Sequence, residues 1–344
     1  TFETWGKENP ELKKEWDAYW AGDISSSVEF PAYKVGDSLA TRTASGAALL
    51  AFSKQNSFII GGSADLQGPN ATKLADTSDF SATNKGGHYI RFGIREFAMG
   101  CMVNGIVLHG GLKPFCATFM VFADYMRPAL RLAALMKLPV IYVLTHDSIF
   151  VGEDGPTHQP IETISALRAI PNVQVLRPGD AEETFRSWEI ALRSKDHPVC
   201  LALTRQNIPV YTKEDPDWKN TMECGAYIVK KGSDDPEVTI LATGSEVSMA
   251  LKAAELVPTK TIRVVSVVDR ELFYKQPDTF RQTIIGKNNR VVVAEAGTRM
   301  GWEGFASSRN DLFCIDRFGE SAPGGDVAKA LGFTAEELAT LISK

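Results

Sequence analysis

The apolar run Leu138-Pro-Val-Ile-Tyr-Val-Leu144 leads directly into the polar segment Thr145-His-Asp-Ser-Ile-Phe-Val-Gly-Glu-Asp-Gly-Pro-Thr-His-Gln-Pro160. A short apolar run of this kind predicts a buried strand. Open α/β sheets bind their ligands where such strands end. The segment carries His146, His158 and Asp154, so we expect a ligand site at this strand end.

Similar units flank this segment on both sides. Apolar and small residues recur at helical spacing over 38–52, and buried strands are expected over 57–63, 113–119, 173–177 and 199–204. Strands that alternate with helices at this pace are typical of parallel sheets covered by helices. The sequence therefore predicts an α/β fold of two doubly wound domains with mainly parallel sheets.

Two polar stretches mark the boundaries between the parts of the chain. Residues 1–30 are polar with scattered aromatics, and residues 209–223 are polar and contain two prolines. We expect a linker over 1–30, a first domain over 31–208, a second linker over 209–223 and a smaller domain over 224–344.

Composition excludes several classes of function. The 344 residues carry a net charge of -5, which offers no concentrated basic surface for nucleic acid or an anionic membrane. No apolar run approaches the roughly 20 residues that span a bilayer, and the first residues do not resemble a signal peptide. The five cysteines form no C-x-x-C pair, which favours reduced thiols over disulfides or a structural zinc site. We expect a cytoplasmic protein.

Two groups of side chains allow both a structural and a functional interpretation. Glu96 stands near the start of an apolar helix, where it is either a capping or first-turn acid or a buried, proton-sharing carboxylate. Phe119, Phe122 and Tyr125 are spaced three apart, as on one helical face. They form either ordinary core or one wall of a slot for a flat heteroaromatic ring.

Each polar candidate near a strand end or helix start also allows more than one interpretation when it is considered alone. His146, Asp154 and His158 lack the short spacings of a metal motif, so a pocket for hydroxyls and proton transfer is the better interpretation. Arg42, near a helix start, and Arg205, after a strand, are either surface cations or phosphate ligands.

Taken together, the motifs resemble the transketolase family of thiamine-diphosphate enzymes. The resemblance covers essentially the whole chain after the first linker, and Gly152-Glu-Asp-Gly-Pro-Thr-His-Gln-Pro160 is its most specific part. The other matching tracts are Ile60-Gly-Gly-Ser-Ala-Asp-Leu66, Phe92-Gly-Ile-Arg-Glu-Phe-Ala-Met99, Leu108-His-Gly-Gly-Leu112, Phe119-Met-Val-Phe-Ala-Asp-Tyr125, Leu203-Thr-Arg-Gln-Asn207 and Phe318-Gly-Glu-Ser-Ala-Pro323.

The resemblance implies a transferase of the pentose phosphate pathway and a role for each candidate. Glu96 would hydrogen-bond the pyrimidine ring of thiamine diphosphate and favour its imino form. Phe119, Phe122 and Tyr125 would form a dry stacking wall, and Asp65 would lie near the cofactor. The substrate would be a sugar phosphate. Its hydroxyls would meet His146 and His158, which also shuttle protons, and Asp154, whereas Arg42 and Arg205 would bind its phosphate.

Two departures from the family pattern limit these expectations. Pro69 stands where the family usually has a phosphate-binding serine, so Asn70 or Thr72 would have to replace it. The chain also contains no Gly-Asp-Gly, the motif with which the family's N-terminal domain holds Mg²⁺ or Ca²⁺ and the cofactor's diphosphate. We therefore expect no metal ligands here, and we expect the latter half of a transketolase, either a fragment or a split subunit.

The chain starts at Thr1 rather than Met, which agrees with that expectation. By family likeness its partners would be the diphosphate-binding domain or subunit and a second copy in a homodimer. The alternatives are the β subunit of a thiamine-diphosphate-dependent 2-oxo acid dehydrogenase, the more distant deoxyxylulose-phosphate synthase, and a non-catalytic assembly module. The gathering of polar groups at strand ends argues against the last of these.

Overall fold

Two short helices precede the first sheet. The computed structural model describes residues 1–22, 24, 28–29, 31–75, 78–287 and 289–344. Helices α1 (Phe2–Glu8) and α2 (Pro10–Ala21) bury none of their residues, and their aromatic side chains pack on one another. The expected linker over 1–30 thus contains two helices. Its positions 23, 25–27 and 30 lie outside the described residues.

A five-stranded parallel sheet forms the first half of the chain. The strand order is β2-β3-β4-β6-β5, with all neighbours parallel, and a short antiparallel pair of β1 and β7 lies apart from it. In chain order the elements are β1 (Ser38–Leu39), α3 (Thr41–Gln55), β2 (Ile59–Ser63), α4 (Glu96–His109), β3 (Lys113–Phe119), α5 (Ala123–Leu135), β4 (Ile141–Thr145), α6 (Thr163–Arg168), β5 (Gln174–Leu176), α7 (Ala181–Arg193), β6 (Val199–Leu203) and β7 (Ile208–Pro209).

Helices cover both faces of this sheet, which explains its continuous apolar strands. On one face, α4 and α5 pack Met99, Val103 and Met126 against Tyr142 of β4. On the other face, α3 and α7 bury Phe52, Phe185 and Trp188, among others, against β3 and β6. All five residues of β4 are buried, as the apolar run before the polar segment predicts.

A second five-stranded sheet follows, in the order β12-β11-β9-β10-β8. Its strands are parallel except for β8, which pairs antiparallel with β10 at the edge. The elements are α8 (Trp218–Thr221), β8 (Ala226–Lys230), β9 (Val238–Ala242), α9 (Glu246–Leu256), β10 (Ile262–Val267), α10 (Arg270–Tyr274), α11 (Asp278–Ile285), β11 (Arg290–Glu295), β12 (Leu312–Cys314), α12 (Gly324–Ala330) and α13 (Ala335–Ser343).

The α/β fold class with two mainly parallel sheets is confirmed. One local expectation is wrong, because Phe119, Phe122 and Tyr125 do not share a helical face. Phe119 is the last residue of β3, Phe122 lies in a 3-10 turn and Tyr125 lies in the first turn of α5. A spacing of three residues does not distinguish one helix from a strand end that turns into one.

Candidate functional site

The carboxyl edge of the first sheet gathers most of the predicted site residues. Phe119 ends β3, His146 follows β4 and Arg205 follows β6 by two residues. Helix α3 begins at the same edge, since the Thr41 amide donates to Oγ1 of Thr204 at 2.9 Å. This brings Arg42 to the edge, which is where parallel sheets place their ligands.

His146 lies at the centre of this group with its backbone in the left-handed region, at φ 63°. Its side chain is 3% exposed. The Phe119 ring stacks on the imidazole with centroids 3.7 Å apart, and Nη1 of Arg42 lies 3.4 Å from Nε2. A non-glycine residue in this conformation is uncommon, and such residues concentrate at functional sites.

Hydrogen bonds indicate which nitrogen of His146 carries the proton. The Thr145 hydroxyl donates to Oδ1 of Asn70 at 2.8 Å, so its oxygen is free to accept from Nδ1–H of His146, also at 2.8 Å. Nε2 then bears the lone pair and faces Arg42. Burial, followed by the charges of Arg42, Arg205 and His158, lowers the pKa of His146 to about 3. The imidazole is therefore neutral near pH 7.

Two arginines make the edge electropositive. Nη1 of Arg42 donates to the Pro69 carbonyl at 2.8 Å, so the residue at the unusual position contributes its backbone oxygen. Burial and the nearby Arg205 lower the pKa of Arg42. Neither guanidinium pairs with a carboxylate of the described residues, which leaves both available to an anion.

The aromatic residues form a wall beside the two histidines. Phe119 stacks on Phe122 with centroids 5.8 Å apart, and both rings face His158 edge-on at 6.5 and 5.4 Å. The ring centroid of Tyr125 lies 6.2 Å from that of Phe122, but Tyr125 is 68% exposed. The flat, largely buried part of the wall is thus Phe119 and Phe122, and Tyr125 lies at its rim.

Glu96 is the first residue of α4 and is 9% exposed. Its carboxylate makes no hydrogen bond or ion pair with any other described residue. Glu96 makes no capping hydrogen bond to the backbone amides of its own helix, but it is the acidic residue of the first turn, where the helix dipole favours a carboxylate. A carboxylate on a largely buried residue that makes no bond within the described chain is available to a ligand that donates a hydrogen bond.

Asp65 lines a small cavity of about 170 Å³ that Pro69, the hydrogen-bond partner of Arg42, also lines. Its backbone is left-handed, at φ 60°, and Pro69 and Tyr89 line the same space. Asn70 and Thr72 are at most 1% exposed, and they bond Thr145 and Tyr89 respectively. In this conformation neither of them faces a ligand in place of Pro69.

Asp154 is exposed at the end of a 3-10 turn region, Ile149–Asp154, and contacts none of the other candidates. The second half of the chain holds this turn. Nε2 of Gln159 donates to the carbonyls of Gly152 and Glu320 at 2.9 and 3.0 Å, and the Ser321 hydroxyl donates to the Glu153 carbonyl.

Sequence reasoning missed the groups that orient the site. Thr145 sets the tautomer of His146, and Arg177 donates to the neighbouring Asp147 at 2.9 Å and also to Glu246 of the second half. Arg177 stands directly after the apolar run of β5, a position that would have identified it as a strand-end residue. Its partners could not be identified, because they come from distant parts of the chain.

Two classes of site have no support among the described residues. No three His, Cys, Asp or Glu side chains there cluster closely enough to hold a metal ion. No helix there combines the length and the apolarity that crossing a bilayer requires.

Comparisons with known proteins agree with this architecture. Residues 37–210 match the family model of the transketolase pyrimidine-binding domain, and residues 225–334 match that of the transketolase-like C-terminal domain. The transketolase of Treponema pallidum is 54% identical over 99% of this chain and 52% of its own length. The chain spans about half the length of the curated relatives that it matches.

Solved structures show the same likeness. A Pichia stipitis transketolase in complex with sedoheptulose 7-phosphate superposes with a TM-score of 0.92 at 36% identity, over 98% of this chain and 51% of that one. A split-gene transketolase, described as an inactive β4 tetramer, superposes with a TM-score of 0.68 at 26% identity, over 89% of this chain and 97% of that one.

Proposed function

This chain belongs to the transketolase family, and on that premise we propose that it supplies the pyrimidine-binding and C-terminal portion of a transketolase. The assembled enzyme transfers a two-carbon ketol unit from a ketose phosphate to an aldose phosphate. The observation that carries this proposal is the carboxyl edge, where the neutral imidazole of His146 lies between the ring of Phe119 and the guanidinium of Arg42, which pairs with no carboxylate of the described residues.

The arginines and histidines of that edge suit a sugar phosphate. Arg42 and Arg205 are close enough for Arg205 to lower the pKa of Arg42, and a bound phosphate would relieve that repulsion. Nε2 of His146 carries the lone pair and can accept a hydrogen bond from a sugar hydroxyl. We assign His158 to the same hydroxyls and to proton transfer, and Asp154 to a hydroxyl at the outer end. The sedoheptulose 7-phosphate complex of the Pichia relative supports this substrate class.

The remaining residues suit the pyrimidine end of thiamine diphosphate. Bound thiamine diphosphate supplies the carbon nucleophile that accepts the ketol unit. The unpartnered carboxylate of Glu96 fits a donor on the ring, Phe119 and Phe122 offer a flat wall with Tyr125 at its rim, and Asp65 lies beside the adjacent cavity. We propose that the divalent metal, Mg²⁺ or Ca²⁺, is held by a diphosphate-binding portion outside this chain.

An exposed apolar surface supports assembly with such a portion and with a second copy in a two-fold dimer. Helix α4 is apolar on its buried and on its exposed side, a pattern typical of a helix that is covered all round. Phe97, Met102 and Leu108 of α4 are 51–57% exposed, and Leu135 of α5 is 67% exposed. A patch of this kind marks an interface.

We propose the same division of the chain as the polar stretches suggest. Residues 31–208 form the pyrimidine-binding domain and 224–344 the C-terminal domain, with linkers over 1–30 and 209–223. The matched ranges of the two family models support these bounds. We also propose a cytoplasmic location, since all five cysteines, which lie within the described residues, are free thiols.

Activity with and without the diphosphate-binding portion tests this proposal. We expect the chain alone to transfer no ketol unit from a ketose phosphate and to gain the activity when that portion and thiamine diphosphate are added. Arg205→Gln in the assembled enzyme should raise KM for the sugar phosphate more than it lowers kcat. Full turnover by the isolated chain, or pyruvate decarboxylation by the assembly instead of ketol transfer, would refute the proposal.

A further inference from the structure

A buried ionic cluster joins the two halves of the chain directly behind the candidate site. Arg168, Arg177 and Asp147 come from the first half, whereas Glu246 and Glu295 come from the second, and all five side chains are at most 5% exposed. Arg168 bonds Glu295 at 2.7 Å, and Arg177 bonds Asp147 at 2.9 Å and Glu246. The cluster holds one more carboxylate than guanidinium groups.

Arg177 is the member of the cluster that joins both halves to the site. Its backbone amide donates to the Val268 carbonyl at 2.9 Å, and its own carbonyl accepts from the Gly244 amide at 3.1 Å. Its guanidinium also reaches the Thr243 carbonyl at 3.3 Å. A Cβ on Gly244, which has φ 58°, would lie 2.7 Å from Nε of Arg177, so the second half has room for this side chain only because glycine stands there.

The other end of Arg177 reaches the residue next to His146. Its Nε donates to Oδ2 of Asp147, and Asp147 directly follows the left-handed backbone of His146. That conformation is rare outside glycine and persists where the surroundings impose it. Arg168, by contrast, bonds Glu295 and makes no bond to Asp147.

We propose that Arg177 is a positioning residue, through which the C-terminal half holds Asp147 and thereby fixes the imidazole of His146 at the substrate site. The inference rests on the proposed function for the identity of the substrate, but the geometry of His146 can be measured without any ligand. It also assigns the C-terminal half a role in the site that it borders, in addition to the bonds of Glu320 to Gln159 and of Ser321 to the turn that ends at Asp154.

The protonation of His146 reports on its position. Its imidazole faces Arg42, Arg205 and His158, with Asp147 as its chain neighbour, and burial together with the three other groups lowers its pKa to about 3. If the imidazole moves away from this environment, its pKa rises toward the ordinary value of about 6.5. Partial unfolding elsewhere in the molecule does not have this effect.

Histidine NMR of the chain with Arg177→Lys tests the proposal. Lysine keeps the buried positive charge but lacks the fork of N–H groups that reaches Asp147 and Glu246 together. The chain has five histidines, so the His146 signal can be assigned with a His146→Gln variant. We expect wild-type His146 to stay neutral from pH 8 down to about 4 and the variant's His146 to titrate in that range. The matched control, Arg168→Lys, changes a neighbouring buried arginine and should leave His146 neutral.

Asp147→Asn provides a second, milder variant. It keeps the side-chain shape and removes one charge from a cluster with an excess carboxylate, so we expect it to fold. We also expect its His146 to titrate between pH 8 and 4, as in Arg177→Lys. The proposal is wrong if folded Arg177→Lys and Asp147→Asn both leave His146 neutral, or if Arg168→Lys releases it equally. It is also wrong if both test variants lose the fold while Arg168→Lys keeps it, because the bridge is then purely structural.

Kinetics separate this inference from the proposed function. In the assembled enzyme, Arg177→Lys should lower kcat/KM for the sugar phosphate about tenfold or more and leave the affinity for thiamine diphosphate within about twofold, because Glu96 and Phe122 lie outside the bridge. One outcome separates the two claims: the assembled wild-type enzyme transfers no ketol unit, while NMR shows that His146 titrates in the Arg177→Lys variant. The proposed function is then wrong, and the positioning role of Arg177 stands.

Discussion

At His146, neighbouring hydroxyl and amide groups decide which ring nitrogen carries the proton. Thr145 accepts from Nδ1–H because its own proton goes to Asn70. Thr145→Val removes that acceptor and should cost about 1–3 kcal/mol of unfolding free energy, since a buried donor is left unpaired. Urea unfolding measures the loss, and ¹⁵N shifts of His146 report the tautomer.

Thr118→Val is the matched control for this experiment. Thr118 is also a fully buried strand threonine, but its hydroxyl makes no hydrogen bond among the described residues. We expect it to unfold at the same or a higher urea concentration than the wild type. An equal loss in both variants would mean that the hydroxyl of Thr145 has no special role.

The lowered pKa of His146 also predicts how stability depends on pH. Between about pH 6.5 and 3 the unfolded state binds a proton at this histidine and the folded state does not, so stability falls as pH falls through that window. The slope is about 1.4 kcal/mol per pH unit for a group that is fully neutral when folded. His146→Gln should reduce the slope of unfolding free energy against pH by that amount, and an unchanged slope would contradict the buried, neutral imidazole.

At the scale of elements, the contact between α4 and α5 depends on a glycine. A Cβ on Gly100 would lie 2.8 Å from side-chain carbons of both Met126 and Ala129, whereas one on Gly105 of the same helix would meet nothing within 4 Å. Gly100→Ala should therefore destabilise the chain by about 1–3 kcal/mol through overpacking. Gly105→Ala should be neutral or stabilise it by up to about 1 kcal/mol, as measured by urea unfolding. The same sign in both variants would contradict this packing.

Sequence reasoning located the strands of the first sheet well and parts of the second half of the chain poorly. Strand β3 has the predicted bounds, because its apolar run records burial on both faces of the sheet. The antiparallel edge strand β8 and the short helices α10 and α12 were not predicted. Their conformation depends on partners far along the chain, and their local patterns are brief.

The same distinction holds for the site. His146 was predicted because it follows a buried strand of a parallel sheet, whereas Arg42 was assigned to the phosphate only through the family resemblance. The tautomer of His146 and the bridge from Asp147 through Arg177 to Glu246 could not be predicted. Thr145 bonds Asn70, 75 positions away, and Arg177 bonds Asp147 and Glu246, 30 and 69 positions away. No local pattern in a single sequence records such pairs.

At the scale of the whole molecule, the exposed apolar surface of α4 and α5 predicts a defect in assembly. Phe97→Asp adds a charge to that surface at a side chain that is 51% exposed, so the chain itself should stay folded. We expect it to lose association with the diphosphate-binding portion or the second copy, as measured by light scattering. Leu256→Asp, at a 50% exposed leucine of α9, is the control and should assemble normally. Normal assembly of Phe97→Asp would show that this surface is not the interface.

Ketol transfer by the assembled enzyme with Glu96→Gln tests the central claim most directly. The substitution keeps the shape of the side chain and removes the carboxylate of a largely buried residue that makes no bond to other described residues. We predict that the folded, assembled variant loses about 10²–10⁴-fold in kcat, the range expected for a group that shares a proton in the reaction. Turnover equal to that of the wild type would contradict the assignment of this edge as the cofactor and substrate site.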